Sequence, residues 1–208
     1  MVDDQARNPA LGILHPAKVK RHALRFSYTL GLGGISVGLA GVLVITGVLL
    51  MFGYRPALTT AFVDTHALAA GGYSSFLRSL HRWSAYLLII SAFLHMGMVF
   101  FHGAYKGARR TNWIVGVSLL TAVVALAISG NILPWDQGAM AVTAVVDTVV
   151  RSVPLIGNAL KSALFGPTSD ATLLRAYVFH VALLPFVFLV LTAVHLWKVR
   201  RDGLSGPV

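Results

Sequence analysis

Four apolar runs, about 30–52, 80–101, 113–133 and 172–197, dominate what this chain can become. Each reaches the ~20 residues an α-helix needs to cross a hydrocarbon core. Lipid offers no partners for main-chain N–H and C=O groups, so runs of this length are expected as helices. Composition agrees, with 56% of the 208 residues hydrophobic and only 12% charged, against about 25% charged in soluble domains. The expected architecture is an all-α integral membrane protein. A bundle of four transmembrane helices occupies residues 30–201, between a segment at 1–29 and a tail at 202–208.

The breaks between runs carry their own signals. The third run stops at Pro134, as helices tend to do before proline. Residues 137–166 mix Ala, Val and Leu with Asp147, Arg151 and Lys161 around Pro154 and Gly157. That pattern predicts one or two short amphipathic helices at the interface rather than a fifth span. Residues 54–79, with Arg55, Pro56, Asp64 and the Gly71-Gly72 pair, read as a loop. The first run is too long and lacks a clear cleavage site for a secretory signal.

A formal charge of +10 could suit nucleic acid, but the basic residues flank apolar spans and read more simply as a topology signal. Arg7, Lys18, Lys20, Arg21 and Arg25, then Lys106, Arg109 and Arg110, then Lys198, Arg200 and Arg201 supply 11 of the 17 Lys and Arg residues, all on one side of a four-span chain. The other side holds Arg55, Arg78, Arg82, Arg151, Lys161 and Arg175. By the positive-inside rule both termini are expected in the cytoplasm, the membrane being of the bacterial cytoplasmic type. No nucleic-acid partner is expected.

Histidines inside two of the spans point to chemistry. The second span carries His81 and His95, 14 residues apart, and the fourth carries His180 and His195, 15 apart. Ionisable side chains at membrane depth usually mark a site, because leaving them unpaired in lipid is costly. Both spans run inward, so His81 and His180 fall near the outer surface and His95 and His195 deeper. A rise of ~1.5 Å per residue separates the two levels by ~21 to 22 Å. Fourteen residues fall ~40° short of whole turns and fifteen run ~60° past them, so each pair keeps broadly to one face. The bland reading is polar residues satisfied by neighbouring helices; depth-matched pairs favour ligation of two stacked haems. Zinc is the competing metal, but imidazole pairs without nearby Cys, Asp or Glu fit axial haem ligation better than a tetrahedral site. With both axial positions filled, the chemistry would be one-electron transfer.

Glycines repeat the pattern. Gly33 and Gly47 on the first span, and Gly116 and Gly130 on the third, are each 14 apart. Running outward, these spans put Gly33 and Gly116 at the inner level and Gly47 and Gly130 at the outer one. Glycine permits the close backbone approach that a flat macrocycle between the second and fourth spans requires. Small-residue helix packing, supported by Gly34 and Gly38, is the bland alternative. The chain contains no cysteine, which excludes disulfides, thiolate metal sites and thioether attachment of haem.

The residues resemble the diheme cytochrome b proteins, most closely the cytochrome b6 type. The resemblance runs from about Phe26 to Val208. It rests on Gly33-Gly34-Ile35, Thr46-Gly47, Tyr54-Arg55-Pro56, the stretch from Arg78 through His81 to Ala85, and Trp113-Ile-Val-Gly116. It continues through Gly130-Asn-Ile-Leu-Pro-Trp-Asp-Gln137, Val153-Pro-Leu-Ile-Gly157, Thr172 through Arg175 and Tyr177 to His180, and the closing Gly203-Leu-Ser-Gly-Pro-Val. Unequal histidine spacings of 14 and 15 look like the b6 type.

That resemblance implies a Q-cycle subunit of a cytochrome bc/b6f-type quinol:cytochrome c oxidoreductase. It binds two b-type haems non-covalently, the outer pair holding the low-potential haem and the inner pair the high-potential one. Quinol is oxidised on the outer side, where Pro134, Trp135, Asp136, Gln137 and Tyr177 are pocket candidates; quinone is reduced on the cytoplasmic side. Arg78 and Arg82 are expected beside the propionates of the outer haem, with interfacial snorkelling as the bland reading; Arg175 and Tyr177 border that haem or the same pocket; Arg200, Lys198, His102 and Arg25 are candidates near the inner quinone site that also read as ordinary positive-inside residues. His15, His22 and His66 read as surface residues. Implied partners are membrane lipid, a Rieske iron–sulfur protein, a c-type cytochrome and a separate C-terminal cytochrome b subunit of the subunit IV kind, in a dimer of complexes. The Pro-Glu-Trp-Tyr motif of the quinol site is missing, which is why the separate subunit is expected. Gly31 stands where the b6 type carries a haem-binding cysteine, so no covalent haem is expected on this chain. The alternatives are a diheme conduit or anchor serving another quinone-linked enzyme, and a non-redox transporter.

Overall fold

The computed structural model describes residues 31–103 and 105–202. Expectations about 1–29, including His15, His22 and Arg25, and about the closing motif from Gly203 lie outside the described residues. The helices are α1 (Leu32–Met51), α2 (Ala61–Ala69), α3 (Gly72–Phe101), α4 (Arg110–Ile132), α5 (Gln137–Arg151), α6 (Gly157–Leu164), α7 (Ser169–Val178) and α8 (Leu184–Asp202). A π-helical turn, Phe179–Leu183, joins α7 to α8. Among the described residues there is no strand.

Four stretches are long and apolar enough to cross a membrane: Leu32–Met51, Gly72–Phe101, Arg110–Ile132 and Ser169–Arg201. The four-span expectation stands, and the protein is a multi-pass membrane protein. Large apolar side chains such as Ile45, Ile90, Phe93, Ile114, Phe186 and Leu189 point outward along these helices. Surfaces of this extent would be an aggregation hazard in water and suit lipid contact.

Two boundaries differ from expectation. Residues 61–69 form α2, and α3 begins at Gly72 rather than after Ser79. Ser74, Ser75, Arg78 and Ser79 made this stretch look like loop, yet a helix can project beyond the apolar layer, since hydropathy marks the span and not the helix. Gly71 and Gly72, both at positive φ (131° and 68°), form the left-handed break that separates α2 from α3.

The bundle is two helix pairs: α1 lies along α3, α4 lies along α8, and α3 touches α4. No comparable packing joins α3, which carries His81 and His95, to α8, which carries His195. Polar contacts within the pairs are sparse and specific. Ser36 and Ser91 share a 2.8 Å hydrogen bond between α1 and α3, and Ser91 donates to the Leu88 carbonyl at 3.2 Å.

An ion pair braces the loop after α1. The Arg55 Nε and Nη2 donate to the two oxygens of Asp64 at 3.0 and 2.7 Å, and the Arg55 main-chain N–H adds a 3.0 Å bond. These bonds hold the Asp64 carboxyl below its ordinary range and hold Arg55 above its own. A depressed carboxylate contributes stability that is complete above its unfolded-state value and is lost as pH falls through its folded-state value. The thermal unfolding temperature of the detergent-solubilised protein is therefore expected to fall below about pH 4. Asp64→Asn should start less stable at neutral pH and lose less over that acid interval; an equal acid loss would show that the pair is not its source.

Candidate functional site

The turn that ends α4 is built around Pro134. Trp135 follows with φ of +51°, a left-handed conformation that costs energy in a non-glycine residue. Asp136 then caps α5, its Oδ1 accepting the Ala139 N–H at 2.8 Å. This divides the four-residue stretch between two cavities. Pro134 and Asp136 line a cavity of about 120 Å³ with Phe62, His66 and Arg78. Trp135 lines a wider one of about 520 Å³ with Met140, Asp147, Arg151, Lys161 and Phe165. Gln137 starts α5 and is exposed.

Asp147, Arg151 and Lys161, the charges of the amphipathic segment between the third and fourth spans, thus border the wider cavity. Arg151 Nε donates to Asp147 Oδ2 at 2.8 Å, and Lys161 Nζ is 4.0 Å from Oδ1. Their spacing of four along one helix and the facing lysine on the next apolar face were the only hints of a cluster.

Tyr177 packs elsewhere: its ring stacks on Tyr54 with centroids 5.7 Å apart and planes 24° apart. Burial pushes the Tyr54 hydroxyl up, with Tyr177 and Asp64 adding to the effect. It stays protonated and donates to the Leu133 carbonyl at 2.7 Å, tying the loop after α1 to the end of α4.

Arg175, expected beside the outer haem or the quinol pocket, is anchored at the start of the fourth span. Its Nη1 donates to the carbonyls of Ser162, Ala163 and Phe165 at 2.5, 3.2 and 2.9 Å. These are carbonyls at the end of α6, which lack partners within the helix, and a cation there also suits the helix dipole. The structure therefore gives Arg175 the task of fastening α6 to α7. Arg82 is exposed and donates through Nε to the Tyr86 hydroxyl at 3.1 Å. Arg78 is half-buried on the wall of the smaller cavity. On the other side of the membrane Arg200 is exposed, whereas Lys198, one turn beyond His195, is buried. His102 caps α3, its Nδ1–H donating to the Met98 carbonyl at 2.7 Å.

His81 and His180 are brought together. Across the gap between α3 and the π turn that precedes α8, their rings face each other with centroids 6.3 Å apart and planes at 74°. Their Nδ1 atoms are both engaged away from that gap. His81 Nδ1 lies 2.9 Å from Thr46 Oγ1. His180 Nδ1 lies 3.0 Å from the Leu126 carbonyl and 3.2 Å from Ser129 Oγ. A carbonyl only accepts, so in His180 the proton sits on Nδ1, leaving the lone pair on Nε2.

The π turn keeps His180 in register. A π-bulge is one residue inserted into an α-helix and often sits at a functional site. Here Phe179–Leu183 contains His180. The inserted residue makes fifteen positions to His195 equivalent in phase to the fourteen between His81 and His95. Pro185 contributes, because it has no N–H to offer Val181, four residues back. The unequal spacing together with that proline was the available signal.

Each of the four spaced glycines lies against one of the four imidazoles. A Cβ added to Gly47 would lie 3.3 Å from His81 Cε1, to Gly130 2.7 Å from His180 Cε1, to Gly33 3.4 Å from His95 Cε1, and to Gly116 3.5 Å from His195 Cε1. What stands nearest each glycine is thus a ring from the paired helix.

This donor set can be tested against haem. Metal–imidazole bonds of about 2 Å, with about 1.2 Å from nitrogen to ring centre, put two rings on a shared metal about 6 to 6.5 Å apart between centroids. The outer pair meets that requirement at 6.3 Å. Among the described residues no group of three or more His, Cys, Asp or Glu could hold a metal ion alone. Tetrahedral zinc would need such a group. Two imidazoles across an open gap between helices held apart fit the two axial positions of a planar tetrapyrrole.

Fold and site together define a class: multi-pass helical membrane proteins that present histidines in facing positions inside a four-span bundle. The family described as cytochrome b(N-terminal)/b6/petB matches residues 86–208. The chain is 37% identical over 180 residues, 85% of its length and 80% of the relative's, to the menaquinol:cytochrome c reductase cytochrome b subunit of Geobacillus thermodenitrificans. It is 36% identical over 180 residues, 85% of its length and 84% of the relative's, to cytochrome b6 of Emiliania huxleyi. Its backbone is similar to a chain of a hyperthermophilic respiratory Complex III, with a TM-score of 0.75 and 25% identity over 86% of this chain. It spans about half of that solved chain, 49%. The protein belongs to the cytochrome b N-terminal/b6 family.

Proposed function

We propose that the chain is the cytochrome b6-like subunit of a quinol-oxidising bc/b6f-type complex, holding two b-type haems through His81 with His180 and His95 with His195. The observation that carries this reading is the outer imidazole pair, facing at 6.3 Å across the gap between α3 and the π turn that precedes α8. Family membership and the named relatives support it. Haem bound at the two levels supplies one-electron conduction between the membrane faces, with no covalent link to this cysteine-free chain.

The chain's own residues do the rest. Gly47 and Gly130 leave room for the outer rings, and Gly33 and Gly116 for the inner ones. Thr46, Ser129 and the Leu126 carbonyl fix the outer imidazoles so that Nε2 faces the gap. The apolar helices exclude water from both levels. Quinol oxidation belongs on the outer side, beside the cavities that hold Pro134, Asp136 and Arg78 on one hand and Trp135 with the Asp147 cluster on the other. Quinone reduction belongs on the cytoplasmic side, toward Lys198 and Arg200, both termini lying in the cytoplasm. A Rieske protein, a c-type cytochrome and a C-terminal cytochrome b subunit complete the assembly, in a dimer of complexes in a bacterial-type cytoplasmic membrane. The domain boundaries proposed are 1–29, 30–201 and 202–208, with interfacial helices at about 137–166.

The test uses membranes containing the intact complex. With the inner quinone site blocked by an antimycin-type inhibitor, a pulse of oxidant should increase the reduction of the b haems, read as a rise of their α band. Reduction of the b haems by quinol without that oxidant-induced response would mark the chain as a conduit for another quinone-linked enzyme and refute the Q-cycle assignment.

A further inference from the structure

The outer and inner histidines differ in what their Nδ1 atoms touch. Thr46 is buried on α1, and its Oγ1 donates to the Val42 carbonyl at 2.7 Å. With its proton committed there, the hydroxyl oxygen accepts from His81 Nδ1–H at 2.9 Å. Ser129, buried on α4, repeats the device: its Oγ donates to the Leu126 carbonyl at 3.1 Å. The same oxygen and the same carbonyl lie 3.2 and 3.0 Å from His180 Nδ1. Each outer ring therefore has a hydroxyl acceptor presented from the helix paired with its own.

At the inner level His195 Nδ1 is buried with no hydrogen-bond partner. The glycine facing His195, Gly116, has no neighbouring hydroxyl in the place Ser129 takes beside Gly130: the residue before it is Val115. The residue before Gly47 is Thr46 and that before Gly130 is Ser129, whereas Leu32 precedes Gly33. A hydroxyl directly before the glycine is thus an outer-level feature of both helix pairs.

We infer that Thr46 and Ser129 are positioning residues that act through His81 and His180 to hold the outer haem at a lower reduction potential than the inner one. The inference rests on the two-haem reading above. An acceptor on Nδ1–H raises the basicity of the imidazole toward its metal. A more basic axial ligand favours the oxidised iron, and hydrogen bonding beyond the ligand is one of the protein's means of setting a haem's potential. A buried Nδ1 without a partner leaves the inner ligand less basic.

The test is a redox titration, followed optically, of the purified complex carrying Thr46→Val, Ser129→Ala or Thr46→Ser. Thr46→Val keeps the side-chain shape and removes the acceptor. It should move the outer component upward and leave the inner one in place, with Thr46→Ser returning it. Ser129→Ala should give a smaller upward shift, because the Leu126 carbonyl still accepts from His180. Unmoved potentials, or equal shifts of both components, overturn the inference. If Thr46→Val fails to retain haem, Ser129→Ala decides alone, and an unmoved outer component there overturns it. A wild-type titration without two b-type components refutes the two-haem reading instead.

Discussion

Replacing His180 with leucine is expected to take the b-haem content of the purified chain from two to one and to abolish the outer component of its redox titration. Leucine fills space in the bundle but offers no lone pair. His81 would then face an apolar side chain across the gap where the imidazole now stands 6.3 Å away. His195→Leu should also leave one haem, but the surviving component should be the outer one. The paired result makes the experiment depth-specific. Two substitutions that erased the same component would contradict the assignment of His81 with His180 and His95 with His195.

The second large effect is expected at Gly130. Its Cβ position lies 2.7 Å from His180 Cε1 and 3.2 Å from His180 Nδ1, so any side chain there must push the ring away from Leu126 and Ser129. Overpacking of this kind costs about 1–3 kcal/mol in a well-packed interior. Here the atom displaced is on a proposed ligand, so Gly130→Val should lose the outer haem while the helices remain folded by circular dichroism. Gly116→Ala is the contrast. Its added carbon would sit 3.5 Å from His195 Cε1, an ordinary contact, and both haems should remain. Equal haem content in Gly130→Val and the wild type would show that the ring at His180 is not held where ligation needs it.

Much of this was legible in the chain. The four spans follow from apolar length alone, since no other structure satisfies the backbone in lipid, and they are present. The stop at Pro134 and the two short helices between the third and fourth spans also follow from local chemistry. Helix α2 did not: nine residues with no long apolar face, between Pro56 and Gly71, carry too little periodicity to distinguish them from loop. Its role emerges only when Arg55 meets Asp64.

The site shows the same division. Spacing identified the histidines and the glycines as two repeating sets, but not that each glycine faces a ring. The π turn was implicit in 15 positions against 14 and in Pro185, though reading it requires knowing that the two helices must stay in phase. Thr46 and Ser129 were hidden because each contacts its histidine across a helix pair, 35 and 51 residues away in sequence. The hold on Arg175 was hidden in the same way: the three carbonyls it binds at the end of α6 lie 10 to 13 residues before it, across a turn that the sequence does not fix.

The most direct measurement is the haem content of the purified chain in its complex, read as pyridine haemochrome per polypeptide together with an optical redox titration. Two extractable b-type haems on this chain and two one-electron components are expected. A single haem, or a reduced-minus-oxidised spectrum without a b-type α band, would contradict the two-haem assignment.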